Sequence, residues 1–265
     1  LDAIEAKDRE YHSYITVCRE EALEQAREAD RAIASGELKG VLAGVPVAIK
    51  DNICTRGIKT TCASKMLSDF VPPYDATVVR RIKEAGMVIL GKTNMDEFAM
   101  GSTTETSYFG PTINPWGHSR VPGGSSGGSA ASVAGRLAPL SIGSDTGGSI
   151  RQPASFCGVT GLKPTYGSVS RYGLVAFASS LDQIGRDVMD VAAMFNVISG
   201  IDERDQSSVN SRKIDMEHLA GYSVKGRKIG IPEQYFGEGI DSGVKECVMN
   251  AVSVFVNEGA TVERF

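Results

Sequence analysis

Two serines flanked by glycines lie close together within residues 121–151. Ser125 lies in a Gly-Gly-Ser-Ser-Gly-Gly string, and Ser149 ends an Asp-Thr-Gly-Gly-Ser string. Glycine has no Cβ, so a glycine-rich backbone can approach other groups closely and adopt positive φ angles. Main-chain N–H groups that are exposed in this way can stabilise the oxyanion that forms when a hydroxyl attacks a carbonyl carbon. The stretch therefore indicates a serine nucleophile beside an oxyanion-binding turn.

A flexible linker or a phosphate loop accounts less well for these glycines. A Gly/Ser linker is solvated, but apolar residues within 130–138 and at Ile142 interrupt this stretch. A glycine loop that holds a phosphate would carry a lysine after the glycines or a Gly-x-Gly-x-x-Gly pattern, and this stretch has neither.

A serine nucleophile needs a base, and lysine fits this sequence better than histidine. Only His118 lies near the serines in sequence, and no Gly-x-Ser-x-Gly elbow surrounds Ser149. Lys50 instead ends an apolar run, residues 42–49, that predicts a buried strand. A lysine accepts a proton only when neutral, so its pKa must fall from about 10.4 to about 7–8. Burial can lower a lysine pKa that far, although a lysine after a strand can also extend to the surface.

Composition limits the classes to which the chain can belong. Its 265 residues are 42% hydrophobic and 23% charged, which is typical of a globular protein. The net charge of −4 disfavours direct nucleic-acid binding, because that affinity comes largely from lysine and arginine meeting phosphates. No apolar run is long enough for a membrane span. Five scattered cysteines and three histidines form no C-x-x-C or H-x-x-x-H pair, which predicts reduced thiols, no metal site and a cytoplasmic location.

The hydrophobic pattern predicts alternating helices and strands, and hence an α/β fold. Helices are predicted for residues 2–35, ending at Gly36, for 75–86 with Asp75 as the N-cap, for 127–136 and for 187–198. Strands are predicted for residues 42–50, 87–90, 139–142, 159–162 and 181–184. Residues 201–225 are predicted as a loop, and 227–232, 241–257 and 260–265 as a β-α-β unit with a right-handed crossover.

Residues 94–123 form a long polar segment without a regular pattern. Because long irregular segments inside compact domains are usually functional or disordered, its aromatic residues favour an ordered, pocket-lining role. The sequence also begins inside a helical pattern and stops as a strand ends. We therefore expect a fragment of a longer protein.

One string matches a nucleotide-binding motif. Gly86-Met-Val-Ile-Leu-Gly-Lys-Thr93 has the letters of the phosphate-loop pattern G-x-x-x-x-G-K-[ST]. In a phosphate loop the residues between the glycines form a turn, whereas here they are predicted as a strand. The context therefore disfavours nucleotide binding.

Four polar or sulphur-containing side chains near the serines are predicted to have roles outside the chemistry. Asp145 and Arg151 are predicted to anchor the turn by hydrogen bonds rather than to act chemically. Cys157 is predicted as a small core residue, and Met100 as a pocket-lining residue.

The glycine–serine strings and the lysine together resemble the amidase signature family. The resemblance rests on Lys50 in Ala-Ile-Lys-Asp-Asn, on Ser125 in Gly-Gly-Ser-Ser-Gly-Gly-Ser, and on Ser149 in Asp-Thr-Gly-Gly-Ser-Ile-Arg. It implies that these three residues form a Ser-Ser-Lys triad, with Ser149 as nucleophile and a cis peptide bond before the middle serine. Ser126 is the alternative for that middle role.

The resemblance also implies the rest of the site and the fold. The backbone N–H groups of Thr146, Gly147, Gly148 and Ser149 would hold the oxyanion. Met100, Ser125 and Thr146 would contact the substrate. The expected fold is a mixed central β-sheet covered by helices on both faces, in one amidase-signature domain over residues 1–265. This domain would have a helical N-terminal part at 1–36 and would lack the C-terminal portion of the fold.

Three further segments, 98–105, 109–116 and 120–128, are most similar to family members that act in tRNA-dependent amidotransferases. That similarity implies hydrolysis of the glutamine carboxamide and transfer of ammonia to a partner that converts Glu-tRNA(Gln) or Asp-tRNA(Asn). The expected partners are a tRNA-binding kinase/transamidase, which would bind ATP and Mg²⁺, and a small third protein that completes a heterotrimer. No cofactor is expected in this chain. The alternatives are a stand-alone amidase that acts on small or fatty amides and a non-catalytic scaffold.

Overall fold

The computed structural model of the chain describes residues 1–176 and 179–265. Contacts divide the chain into two compact units, Leu1–Ile214 and Asp215–Phe265. The single-domain organisation expected from the sequence stays a prediction.

The first unit contains six strands and six helices among its described residues. The strands are β1 (Tyr14–Val17), β2 (Pro46–Lys50), β3 (Val88–Thr93), β4 (Leu140–Asp145), β5 (Thr160–Leu162) and β6 (Ser180–Gly185). The helices are α1 (Asp2–Tyr11), α2 (Arg19–Ala34), α3 (Thr77–Glu84), α4 (Gly127–Ala134), α5 (Arg151–Cys157) and α6 (Val188–Ile198). Short 3-10 turns lie at Lys65–Leu67 and Glu97–Ala99.

The strands form one mixed sheet in the order β1-β3-β2-β4-β6-β5. Strand β2 lies at its centre and pairs in parallel with both β3 and β4, so that Lys50 lies opposite Thr93. The outer pairings, β1 with β3, β4 with β6 and β5 with β6, are antiparallel. The centre of the sheet is thus where the chain brings distant segments together, and Lys50 lies at the end of that central strand.

Helices cover both faces of this sheet, as expected. Successive residues of a strand point to opposite faces. On β4, the Ser141 hydroxyl donates to Ser129 O of α4 at 2.9 Å. The next residue, Ile142, is paired with Gln183, whose amide donates to Val191 O of α6 at 3.2 Å. Helices α4 and α6 therefore pack on opposite faces, and the predicted α/β fold is confirmed.

Helix α4 consists of small residues because it packs against backbone. Seven of its eight residues are buried. A Cβ on Gly128 would lie 2.4 Å from Asn94 O and 2.6 Å from Ser13 O, so only glycine fits there. This packing rules out the flexible-linker interpretation of the Gly/Ser stretch.

The structure of strand β3 excludes a phosphate loop at residues 86–93. The predicted strand at 87–90 continues through Gly91, Lys92 and Thr93, all of which are buried in the sheet. The Lys92 ammonium donates to Ile53 O at 2.9 Å and to the Thr60 hydroxyl at 2.7 Å. A lysine held in this way cannot reach a phosphate, so the match is a coincidence of letters.

Other sequence expectations for the first unit need correction. Residues 2–35 are not only helical, because β1 lies between α1 and α2 and pairs with β3. The N-cap of α3 is Ala76 and not Asp75. The Asp75 carboxylate instead accepts from the Arg56 N–H and the Lys83 ammonium, both at 2.8 Å. The predicted helix at 187–198 is confirmed, with the Asp187 side chain capping the Asp190 N–H.

The second unit contains the predicted β-α-β arrangement. It consists of α7 (Met216–Ala220), β7 (Lys228–Ile231), a 3-10 turn at Glu233–Phe236, α8 (Ser242–Asn257) and β8 (Thr261–Arg264). Strands β7 and β8 are parallel. The Asp241 side chain caps α8 by accepting from the Gly243 N–H at 2.8 Å. The short helix α7 lies in the stretch that the sequence pattern predicts as a loop.

Among the described residues, none of the helices combines the length and the apolar character that a membrane crossing requires.

The packing of α4 predicts the effect of one added methyl group. Gly128→Ala should lower the free energy of unfolding by about 1–3 kcal/mol, because the new Cβ overlaps fixed backbone atoms of Asn94 and Ser13. Urea-induced unfolding measures this change. Gly40→Ala is the matched control, since a Cβ at Gly40 meets no atom within 4 Å. Equal unfolding midpoints for the two variants would contradict the packing argument.

Candidate active site

Lys50 is buried at the end of β2 and points at three hydroxyls. Its side chain is 0% exposed, which excludes an extension to the surface. The Nζ lies 2.8 Å from Ser125 Oγ, 2.8 Å from Ser126 Oγ and 3.0 Å from Ser144 Oγ. Among the described residues, no carboxylate lies within ion-pair distance of this amine. Lys50 is therefore solvated by neutral hydroxyls instead of a counterion.

This environment explains why the Lys50 amine is largely uncharged near neutral pH. Burial lowers the pKa of Lys50 from its ordinary 10.5 to about 7, although the charges of Asp96, Asp145 and Asp182 oppose the shift. Burial dominates because a low-dielectric interior disfavours the charged form. Near neutral pH a large fraction of Lys50 is an uncharged amine that can accept a proton.

The two candidate middle serines differ in what their hydroxyls do. The Ser126 hydroxyl donates to Ser144 O at 3.1 Å and also faces the Ser144 N–H at 3.4 Å. Within the described part of the chain, the Ser125 hydroxyl has only Lys50 as a partner. Its proton and a lone pair are therefore available for a relay, and the geometry favours Ser125 over Ser126. The Gly124–Ser125 peptide bond is cis, as the family resemblance implies.

Ser149 lies on a turn between β4 and α5 that hydrogen bonds to the Asp145 carboxylate stabilise. The Asp145 carboxylate accepts from Arg151 Nη2 at 2.9 Å and Nε at 3.1 Å, and from the Ile150 N–H at 3.0 Å. Burial alone would raise the pKa of Asp145, but these bonds and that of the Gly148 N–H lower it to about 2. Asp145 and Arg151 thus anchor the turn, as predicted. The Ser149 O accepts from the Ser126 N–H at 3.1 Å, which holds the turn against the other serine string.

The predicted oxyanion donors are not equivalent in the structure. The Gly148 N–H donates to Asp145 Oδ1 at 2.8 Å and is not free for a substrate oxygen. The Thr146 and Gly147 N–H groups have no protein acceptor among the described residues, and both residues are exposed in the turn. Of the four predicted donors, Gly148 is therefore engaged by Asp145, whereas Thr146 and Gly147 remain available.

A cavity of about 670 Å³ opens beside this turn. Its lining is formed by Phe98, Ala99, Met100, Gly101, Ser102, Gly124, Thr146, Gly147, Gly148, Ser149, Gln152 and Ser179. Met100 is 71% exposed on the rim, in agreement with its predicted pocket-lining position. Ser125 lies beneath the cavity and is fully buried. The nucleophile candidate thus faces the cavity, while the base candidate lies behind it.

Cys157 has the core position predicted for it. It is fully buried in a hydrophobic cluster with Ala130, Val133, Ile150 and Ile184. Burial raises the pKa of its thiol to about 12, so the thiol stays protonated.

Sequence reasoning missed several residues that build the site. Ser144 contributes a hydroxyl to Lys50, and the Asn52 amide donates to that hydroxyl at 3.2 Å. Gln152 accepts from the Gly124 N–H at 2.9 Å and donates to Ser102 O at 3.1 Å. Asn52 lies two residues after Lys50, and Gln152 lies one residue after Arg151. This proximity in sequence was the only signal that could have identified them.

Comparison with known proteins shows the family to which the chain belongs. The model of the family described as Amidase matches residues 1–265. The chain belongs to the amidase family. Among amidase relatives, the glutamyl-tRNA(Gln) amidotransferase subunit designated A of Lachnoclostridium phytofermentans is 60% identical over 269 residues, which cover 100% of this chain and 54% of that protein.

Solved amidase structures share the fold. The corresponding glutamyl-tRNA(Gln) amidotransferase subunit from Thermotoga maritima matches with a TM-score of 0.87 and 44% identity, over 100% of this chain and 56% of that one. Native peptide amidase from Stenotrophomonas maltophilia matches with a TM-score of 0.88 and 34% identity, over 100% and 56% of the two chains. The chain thus spans about half the length of these relatives. The resemblance to the amidase signature family is confirmed.

The different hydrogen bonding of the two middle serines predicts different effects of their removal. In the complete polypeptide that contains residues 1–265, Ser125→Ala should lower kcat for amide hydrolysis by about 10²–10⁴-fold, because a proton relay is lost. Ser126→Ala is the matched variant and should cost less than Ser125→Ala, because it removes hydrogen bonds to Lys50 and Ser144 but no step of the relay. Steady-state kinetics measure both effects. A larger loss for Ser126→Ala would assign the middle role to Ser126 instead.

Proposed function

We propose that the chain is the glutamine-hydrolysing part of a tRNA-dependent amidotransferase. The observation that carries the proposal is the buried contact of 2.8 Å between Lys50 Nζ and Ser125 Oγ, behind a cavity that Ser149 lines. The 60% identity to a protein named as a glutamyl-tRNA(Gln) amidotransferase subunit supports the choice of substrate. The reaction cleaves the side-chain carboxamide of glutamine and releases ammonia.

The first half-reaction forms an ester on Ser149. Neutral Lys50 takes the proton of Ser125, which takes the proton of Ser149 as its oxygen attacks the carboxamide carbon. The carbonyl oxygen becomes negative and is held by the N–H groups of Thr146 and Gly147, with that of Ser149 beside them. When the C–N bond breaks, the relay runs backward and the leaving nitrogen receives the proton as ammonia.

The second half-reaction restores the serine. A water molecule gives a proton to the same relay and attacks the ester carbon, and the C–O bond to Ser149 breaks. The new carboxyl group loses its proton to solvent and glutamate leaves, while Ser149 recovers its proton through Ser125 from Lys50. Each half-reaction returns the amine to its neutral state, so the relay needs no external acid or base.

The cavity accounts for part of substrate recognition. Met100 and Thr146 line it and Ser125 lies below, so these residues contact or face the carboxamide end of the substrate. Among the described lining residues none is charged. The α-amino and α-carboxylate groups of glutamine therefore require charged groups from outside this lining, which agrees with a chain that spans about half the length of its relatives.

The partners follow from the fate of the ammonia. A tRNA-binding kinase/transamidase would activate Glu-tRNA(Gln) or Asp-tRNA(Asn) with ATP and Mg²⁺ and receive the ammonia, with a small third protein completing a heterotrimer. The net charge of −4 suits a chain that leaves tRNA contact to its partner. This function would place the protein in the cytoplasm, where the five free cysteines would stay reduced.

A stand-alone amidase is the second candidate. It is favoured by the structural match to a peptide amidase and by the uncharged lining of the cavity, which suits small or fatty amides without charged groups. The two candidates share the triad and differ in their dependence on a partner.

The proposed function predicts partner-stimulated glutamine hydrolysis that depends on Ser149. In the complete polypeptide, ammonia release from glutamine should rise when the tRNA-binding partner is added, and Ser149→Ala should lower it by at least about 10⁴-fold. Ser155→Ala is the matched control, because Ser155 is exposed on α5. Hydrolysis of simple amides without any response to the partner would favour the stand-alone amidase. Full activity of Ser149→Ala would contradict Ser149 as the nucleophile, and a complete wild-type polypeptide that hydrolyses no amide, with or without the partner, would favour a non-catalytic scaffold.

The lowered pKa of Lys50 predicts a particular pH dependence. The amine acts as base only when neutral, so kcat/KM for amide hydrolysis should rise with pH up to about 7, near the pKa of Lys50, and level off above it. Below that pH the rate should fall about tenfold for each pH unit. A profile that is flat between about pH 5 and 9 would contradict a neutral Lys50 as the base.

A further inference from the structure

The residues from Asp96 to Thr106 form one wall of the cavity, and the Asp96 carboxylate lies at the centre of this wall. Asp96 is fully buried. Its Oδ2 accepts from the Thr104 N–H at 3.0 Å, and its Oδ1 accepts from the Thr106 hydroxyl at 3.0 Å. The same hydroxyl accepts from the Glu97 N–H at 3.1 Å. The wall is thus folded around a single carboxylate.

Asp96 also contacts the backbone of the middle serine. Its N–H donates to Ser125 O at 3.2 Å. A Cβ on Gly124 would lie 2.1 Å from Asp96 Oδ2, and a Cβ on Gly101 would lie 2.4 Å from Asp96 Cγ. The carboxylate therefore packs directly against the peptide that precedes Ser125 and against the cavity wall. Through its backbone and its carboxylate, Asp96 joins Ser125 to this wall.

We propose that Asp96 is a positioning residue that fixes the Ser125 backbone to the cavity wall and holds its carboxylate against the peptide that precedes Ser125. This inference rests on the proposed amide-cleaving site. It assigns Asp96 no contact with substrate.

The charge of Asp96 acts on Lys50 together with that of other groups. The titratable groups that face Lys50 are Asp96 after β3, Asp145 on β4, Asp182 on β6 and Cys62 after β2, and all of them raise its pKa against the dominant effect of burial. Asp96 is the largest of these charge effects. Asp145 is ion-paired with Arg151. Removal of the Asp96 charge should therefore lower the pKa of Lys50 below about 7.

The test is the pH dependence with which Ser149 is labelled by a fluorophosphonate, followed by intact mass and peptide mapping. The complete polypeptide that contains residues 1–265 is used, and no amide substrate is needed. For Asp96→Asn we expect labelling at high pH to be about 10- to 100-fold slower, because one acceptor oxygen becomes an NH₂ group and the other no longer belongs to a charged acceptor. We also expect the acid limb, which is the pH range in which the labelling rate falls as the pH falls, to lie at lower pH than in the wild-type protein.

Asp202→Asn is the matched control. Asp202 is likewise a buried carboxylate, which accepts from the Ser170 hydroxyl at 2.6 Å and from the Arg204 N–H at 3.2 Å, and it is not among the groups that act on Lys50. Its variant should lose thermal stability and keep the acid limb of the wild type. An acid limb in Asp96→Asn that coincides with that of Asp202→Asn would overturn the inference.

Thr106→Val provides a second variant in case Asp96→Asn does not fold. It removes one hydrogen bond to the carboxylate and retains the charge. We expect slower labelling with an unmoved acid limb, and labelling at the wild-type rate overturns the role of the wall. Wild-type protein that is not labelled at Ser149 at all contradicts the proposed function itself. If the wild-type protein is labelled at Ser149 but Asp96→Asn has the same pH dependence, only this inference is contradicted.

Discussion

The site depends on a lysine amine that is buried among hydroxyls and, in the described part of the chain, has no counterion at hydrogen-bond distance. Removing an ammonium group from water is costly unless an anion compensates it, and the nearest partners of Lys50 are three serine hydroxyls. The neutral amine is therefore strongly favoured relative to an exposed lysine, and its pKa falls to about 7. A neutral amine among hydroxyls is a proton acceptor by necessity. The surrounding structure, from the central strand to the glycine-rich α4, buries this amine completely.

Lys92 on the neighbouring strand is also a buried lysine, but it has a carboxylate partner. It is equally buried, but its Nζ lies 3.4 Å from the Asp51 carboxylate and donates to Ile53 O and the Thr60 hydroxyl. Burial lowers the pKa of Lys92 as well, while Asp51 opposes the shift. Its protons are committed to fixed acceptors rather than to a hydroxyl that leads to the cavity. Two lysines with similar burial thus differ in function because of their immediate partners.

The sequence predicted the parts of the structure that local pattern controls. The strand that ends at Lys50, the small residues of α4 and the glycine turn at Ser149 each have a local physical reason, and all three were predicted. The strand begins at Pro46 rather than at residue 42, because residues 41–44 form a turn. Strand β1 was missed because four residues carry little pattern and its partner, β3, lies far away in sequence. The role of Asp96 was missed because it depends on Thr104 and Thr106, which only the folded irregular segment brings to the carboxylate. The engagement of the Gly148 N–H by Asp145 depends on side-chain rotamers that no spacing encodes.

The three triad candidates lie on elements that are fixed by independent means, and this arrangement explains why so much of the chain serves the site. Lys50 is fixed by the central strand, Ser125 by the start of α4 and the Asp96 N–H, and Ser149 by the turn that Asp145 braces. Proton relays and nucleophilic attack require reacting atoms close to the productive geometry, and a displacement of about 1 Å can cost about 100-fold in rate. Loosening any one support should therefore reduce the rate without removing a reacting group. Because the supports are separate, their effects should also be separable by mutation, which distinguishes a positioning residue such as Asp96 from the residues that exchange protons.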